Sequence, residues 1–181
     1  RQMARMSARL HEAATTDALT ELPNRRHMTE RIAAEHERLQ AETGDGYSLV
    51  EIDVDGFKGV NDHHGHAAGD QLLARIGDRL ARGIRAQDVL ARWGGEEFLV
   101  LLPATPVSEA GAVAERLREL VARDPVTVAD QRIPLTVSIG LAQATPADSV
   151  DSVLRRTDRR MYDAKGRGNA VVADDGPAVP D

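Results

Sequence analysis

The stretch that most constrains the fold is Val89-Leu90-Ala91-Arg92-Trp93-Gly94-Gly95-Glu96-Glu97-Phe98, continued by Leu99-Val100-Leu101-Leu102. Two strand-like apolar runs flank a Gly-Gly pair. That is the signal of a two-residue hairpin, because both central positions favour φ > 0 and glycine reaches it without steric penalty. Glu96 and Glu97 then sit at the tip of an otherwise buried ribbon, and acids are poor strand formers that a sheet gains nothing by carrying. The bare backbone of Gly94 and Gly95 also admits a ligand's phosphates at close range. An ordinary hairpin with a solvated tip is the competing reading of this stretch alone.

A second strand precedes it. From Tyr47 the apolar period becomes two, with Val50, Ile52 and Val54 facing one way and Glu51, Asp53 and Asp55 the other. Acids gathered on one strand face are unfavourable unless a cation lies opposite, and a divalent ion is the usual answer. A solvated edge strand would explain the pattern equally simply. Residues 56–66 read as a polar, glycine-bearing loop with the single lysine Lys58. The spacing of Leu72, Leu73, Ile76, Leu80 and Ile84 predicts a helix over 70–85. Helices are also expected over about 27–41, around Val113–Val121, and from Val150 to Gly166. Val126–Val128 and Ile133–Ala142 read as strands joined at Asp130-Gln131, and a short strand at 170–172 closes the pattern. This order predicts an α/β (α+β) sandwich, a mixed or antiparallel sheet with helices packed on it.

Composition narrows the function. The chain has 181 residues, 41% of them hydrophobic, enough for one domain with a sizeable core. A net charge of −6 argues against broad binding to nucleic acid or to an anionic membrane surface, so an anionic ligand must be held locally. No cysteine is present, which suits a cytoplasmic setting, and no apolar run reaches membrane-spanning length. Met3, Met6, Leu10 and Ala13 form a narrow seam on a predicted opening helix. Residues 1–14 are therefore expected to be a signalling or coiled-coil helix joined to an upstream sensor. Residues 15–173 are expected to be the main domain, and the Pro- and Gly-bearing residues 174–181 a disordered tail.

Several ordered motifs resemble one family. Gly94-Gly95-Glu96-Glu97-Phe98 is similar to the signature of the GGDEF domains, the diguanylate cyclases, in its GGEEF form. Asp17-Ala18-Leu19-Thr20-Glu21-Leu22-Pro23-Asn24-Arg25-Arg26 resembles the family's opening D-x-L-T-G-L-x-N-R-R, departing at Glu21 where glycine is usual. Asp53-Val54-Asp55-Gly56-Phe57-Lys58, Asn61-Asp62, Gly65-His66 and Gly69-Asp70 follow the family's central motif in register, and Tyr162-Asp163-Ala164-Lys165 its closing Y-x-A-K. The resemblance implies a central five-stranded sheet like that of nucleotide cyclases and polymerase palms. It also implies the condensation of two GTP into cyclic di-GMP with release of two pyrophosphates.

By that resemblance Asp53, Glu96 and the carbonyl of Val54 hold Mg²⁺ (or Mn²⁺), and Glu96 also takes the proton of the attacking 3′-hydroxyl. Glu97 is either a further metal contact or a support for one. Asp55 is either part of this set or a carboxylate that holds the loop. Lys58 faces the phosphates, and Lys165 is a further phosphate contact. Asn61 and Asp70 read guanine, since a carboxylate accepts from N1–H and the exocyclic amine together, and His66 lines the same pocket. His63, His64 and His66 alone would suggest zinc, but the neighbouring acids fit that poorly. The segment Lys165-Gly166-Arg167-Gly168-Asn169 is one residue shorter than the family pattern, so an arginine for the γ-phosphate is missing or replaced by Arg167. Arg85-x-x-Asp88, with Arg116, resembles the inhibitory site where product binds. One chain holds one GTP, so catalysis requires a homodimer. The alternative is a weak or inactive GGDEF domain that serves as a receptor for GTP or cyclic di-GMP.

Overall fold

In the computed structural model, residues 15–41 and 46–174 are described. The expected helix over 1–14 and the tail beyond residue 174 lie outside them. The elements are α1 (Arg25–Ala41), β1 (Ser48–Val54), α2 (Phe57–His64), α3 (His66–Ala81), β2 (Val89–Arg92), β3 (Glu97–Leu102), α4 (Val107–Ala122), β4 (Val126–Val128), β5 (Gln131–Ile133), β6 (Val137–Gln143), α5 (Val150–Lys165) and β7 (Val171–Ala173).

Five strands form one sheet in the order β2-β3-β1-β6-β7, antiparallel throughout except for the parallel β6–β7 pair. β1 is the middle strand and is buried along its whole length, so its acids do not line a solvated edge. The expected alternation holds. Val50, Ile52 and Val54 enter a core shared with Leu72, Leu73 and Ile76 of α3 and Leu117 and Val121 of α4. Leu49 enters the opposite core with Met28 and Ile32 of α1 and Val153 of α5. Glu51 and Asp53 share the Leu49 face, which puts them beneath α1 and α5. The sheet is thus covered on both sides, as a sandwich requires.

Three local expectations change. Residues 57–64 are helical rather than loop, because Phe57 and Val60 are both buried at helical spacing and Gly56 supplies the left-handed entry (φ 68°). α3 consequently begins at His66, four residues earlier than the apolar spacing marks. The expected strand over 133–142 is two strands. β5 pairs with β4 in a separate hairpin turned by Ala129 (φ 48°) and Asp130 (φ 62°), and only β6 joins the main sheet.

α5 begins with a capping box between Ser149 and Ser152. It lies hard against β6. A Cβ on Gly140 would stand 2.0 Å from the Met161 nitrogen and 2.5 Å from the Thr157 oxygen, so only glycine permits this approach. Asp174, expected in the tail, is buried and binds Arg156 and Arg160 of α5.

Candidate functional site

The β1 end, the β2–β3 turn and the end of α5 meet at one point. Asp53 lies opposite Glu97 in the β1–β3 register, and one step on the Val54 N–H donates to the Glu96 carbonyl at 3.2 Å. That ladder carries Asp53, Val54, Glu96 and Glu97 into one cluster although more than forty residues separate the two segments.

The turn itself is not the two-residue type. The Trp93 N–H donates to the Glu97 carbonyl at 2.8 Å and the Gly94 N–H to the same oxygen at 3.2 Å, so residues 94–96 form the loop. Neither Gly94 nor Gly95 adopts left-handed backbone. Gly94 instead leaves room for Glu97 to fold back, since a Cβ there would lie 2.1 Å from Glu97 Oε2 and the carboxylate would have to swing aside. Gly95 has open space around its Cα and leaves the turn bare.

A clamp that the motif pattern contains without revealing its role holds this turn. Arg92 donates to Gly95 O at 2.9 Å and to both oxygens of Asp17 at 3.2 and 3.3 Å, while its backbone N–H bonds Pro23 O. Burial alone would raise the Asp17 pKa, but hydrogen bonds from the Thr20 backbone and hydroxyl, with Arg92, hold it below the usual carboxylate range. A basic residue ending the apolar run Val89-Leu90-Ala91 was the available signal. The Arg25 guanidinium stacks on Trp93, 4.4 Å from the ring centroid.

Asp53 is 2% exposed. Its Oδ2 accepts from Lys165 Nζ at 2.9 Å, and its Oδ1 is buried with no hydrogen-bond partner. Burial raises its pKa to about 6; Lys165 pulls it down, and Glu96 and Glu97 push it up. For Lys165, burial would lower the pKa, but the bond and charge of Asp53 outweigh it and the value rises. A buried carboxylate with an unsatisfied oxygen, next to two further acids and a backbone carbonyl, fits a hard divalent cation. Among the described residues no three His, Asp or Glu side chains are grouped to hold a metal by themselves. His63 bonds the Gly59 carbonyl through Nδ1.

Asp55 is a structural carboxylate. It accepts from the Thr136 and Ser138 hydroxyls, both at 2.6 Å, and from the Asn169 N–H at 2.9 Å. It therefore ties the β1 end to the head of β6 and to the loop after α5.

The expected nucleotide contacts lie on α2 and α3. Lys58 is exposed on the first turn of α2, and Asn61 stands one turn further on. Asn61 Oδ1 is buried without a partner and would lie 1.9 Å from a Cβ on Gly69, so Gly69 lets α3 close over it. His66 and Asp70 are both exposed, four residues apart on α3, next to that contact. Tyr162 is exposed on α5. Arg167 is exposed beyond the end of α5, while Asn169 accepts from Arg118.

The Arg85–Asp88 turn closes on itself. The Asp88 carboxylate accepts from the Arg85 N–H at 2.8 Å and the Asp88 N–H donates to Arg85 O at 3.1 Å. Arg116 donates twice to Gly83 O, at 3.0 and 2.6 Å, which puts it beside the same turn. Asp88 also lines a cavity of about 600 Å³ with His27, Arg31 and Arg38 of α1. Glu51 was given no role by the sequence beyond its place in the acidic face. It is 4% exposed and borders a cavity of about 240 Å³ lined by Arg25, Trp93, Leu154, Arg155 and Asp158.

A family model described as "Diguanylate cyclase, GGDEF domain" matches residues 14–170. The chain is similar to the response regulator PleD of Caulobacter vibrioides, 44% identical over 165 residues, covering 89% of this chain and 36% of PleD. It is also similar to the diguanylate cyclase DgcM of Escherichia coli, 39% identical over 176 residues, covering 95% of this chain and 41% of DgcM. The chain thus spans less than half the length of these relatives. Among solved structures, the coiled coil and GGDEF domain of DgcB from Caulobacter crescentus, in complex with c-di-GMP, superimposes with a TM-score of 0.90 at 29% identity, covering 96% of this chain and 92% of that one. The diguanylate cyclase SiaD of Pseudomonas aeruginosa, in complex with its activator SiaC, gives a TM-score of 0.87 at 38% identity, covering 96% and 66%.

Proposed function

Because this chain belongs to the GGDEF, diguanylate cyclase family, we propose that it condenses two GTP into cyclic di-GMP and two pyrophosphates. The observation that carries the reading is the buried Asp53 carboxylate, with one oxygen unpartnered and the other on Lys165, set beside the half-exposed Glu96 and Glu97. Asp53, Glu96 and the Val54 carbonyl would hold Mg²⁺ or Mn²⁺. That ion, when bound, supplies polarisation of the α-phosphate and neutralises its charge.

The chain's own groups supply the rest. Glu96 accepts the proton of the ribose 3′-hydroxyl as that oxygen attacks the α-phosphorus and pyrophosphate departs. Glu97, folded over Gly94, supports the metal contacts. The bare turn at Gly94 and Gly95 lets the phosphates approach. Lys58 and Lys165 meet the phosphate charge, while Asn61, Asp70 and His66 form the guanine pocket. Each protomer holds one GTP, so two protomers must face each other for the second bond to close. Arg85, Asp88 and Arg116 bind the product and restrain the enzyme. Residues 1–14 connect this domain, 15–173, to a sensor in a cytoplasmic setting. No helix among the described residues is long and apolar enough to cross a membrane, and no nucleic-acid partner is implied.

Incubation with GTP and Mg²⁺ followed by mass identification of the product tests the reading. Cyclic di-GMP from the wild type and none from a folded Glu96→Gln variant is the expected result. GTP bound but never turned over would overturn it in favour of a receptor. The shortened Lys165–Asn169 segment is the observation that keeps that second reading in view.

A further inference from the structure

The ion pair between Lys165 and Asp53 occupies the place where the proposed function seats a cation. The two partners are unequal. Asp53 is fixed in the middle strand and 2% exposed, whereas the Lys165 side chain is 41% exposed at the last residue of α5. The backbone on either side of Lys165 is held. The Gly166 N–H bonds Tyr162 O, the Gly168 N–H bonds Ala164 O, and the Asn169 N–H bonds Asp55. The ammonium can therefore leave through side-chain torsions alone. Lysine suits this movement, being a compact charge on a flexible four-carbon stem with no fork to lock it on the carboxylate.

The occupancy is also incomplete. One ammonium satisfies Asp53 Oδ2 while Oδ1 stays buried and bare, and Lys165 is the only cation in an ion pair with Asp53, Glu96 or Glu97 among the described residues. A single positive charge thus stands against three neighbouring carboxylates. A divalent ion would satisfy this set better, and the displaced ammonium would emerge on the side where anionic phosphate is expected.

We propose that Lys165 is a built-in placeholder for the metal: it holds Asp53 in the nucleotide-free protein and is displaced by the incoming divalent ion, which frees it for the nucleotide phosphates. This rests on the reading of Asp53 as a metal ligand. It makes the metal and the Lys165 ammonium competitors for Asp53 before nucleotide arrives, and partners afterwards.

Mn²⁺ titration of the nucleotide-free chain at low salt, followed by the free-ion EPR signal, tests the competition. Lys165→Met is expected to tighten Mn²⁺ roughly tenfold, equivalent to about 1.4 kcal/mol. Arg167→Met, which removes an exposed charge from the same helix end, is expected to leave affinity within about twofold, since a screened exposed charge acts weakly at a distance. Without metal, in EDTA, Lys165→Met is expected to melt below the wild type because Asp53 loses its partner, and saturating Mn²⁺ is expected to close the gap. Unchanged or weaker Mn²⁺ binding by Lys165→Met would overturn the proposal. So would equal tightening by Arg167→Met, which would point to a general field, or a melting deficit that Mn²⁺ leaves in place. Asp53→Asn separates the two layers. If it binds Mn²⁺ as the wild type does, the Asp53 reading falls and the placeholder with it; if it loses Mn²⁺ while Lys165→Met gains nothing, only the placeholder falls.

Discussion

Glu51 lies in the middle of the central strand, paired with Leu99 on one side and Gly140 on the other. Burial pushes its pKa up to about 8, with Asp158, Glu97 and Asp53 adding to the rise and Arg25 opposing it. A carboxyl that binds its proton more tightly when folded contributes most to stability below its unfolded value of 4.5, and that contribution is lost as pH rises to about 8. Within this window the folded chain keeps a proton that the unfolded chain releases, so each pH unit lowers stability by about 1.4 kcal/mol. Between pH 5 and pH 8 the loss reaches on the order of 3 kcal/mol. Glu51→Gln keeps the shape and removes the titration. Urea unfolding in EDTA across pH 5–8 should give a wild-type curve that falls relative to the variant by that amount, with the variant the more stable at pH 8. Asp53 titrates in the same range in both proteins, so the difference between the curves reports Glu51 together with its coupling to Asp53. Parallel curves, separated by a constant within about 0.5 kcal/mol, would refute the burial argument.

Gly140→Ala should cost about 3 kcal/mol or more, because the new methyl meets α5 backbone rather than a yielding side chain, and a drop in melting temperature would register it. Glu21 carries left-handed backbone (φ 57°) at the position where the family motif has glycine, so Glu21→Gly should raise stability by about 0.5–1 kcal/mol in denaturant titration. Asp55→Ala removes the acceptor of three donors and should destabilise by about 2–4 kcal/mol, while weakening Mn²⁺ binding far less than Asp53→Asn does.

Much of the architecture was written in local patterns. The alternation of Val50, Ile52 and Val54 with Glu51 and Asp53 identified both faces of β1, and the apolar spacing around Leu72–Leu80 identified α3. Position within the sheet was not readable, since a period of two describes an edge strand as well as a middle one; only the flanking β3 and β6 make β1 central. The Gly-Gly pair suggested a left-handed turn, yet Gly94 has ordinary backbone and instead leaves space for Glu97 to fold back over it, a contact that turn statistics do not contain. The reverse happened at Ala129-Asp130, a left-handed hairpin without glycine. α2 was hidden by its polarity, with Phe57 and Val60 its buried residues. The acids of the candidate site were named from the motifs, but the Lys165–Asp53 and Arg92–Asp17 pairs depend on distant segments meeting, which spacing along one chain does not encode.

The Asp17–Arg92–Gly95 clamp has a mechanical consequence. Asp17 reaches the chemistry-bearing turn through the Arg92 guanidinium, whereas Asp174 leaves the sheet beyond the Leu141 end of β6, away from the strand ends where Asp53 lies. The entrance of the domain is therefore tied to Gly95 through Arg92, and Asp174 is tied to Arg156 and Arg160 of α5.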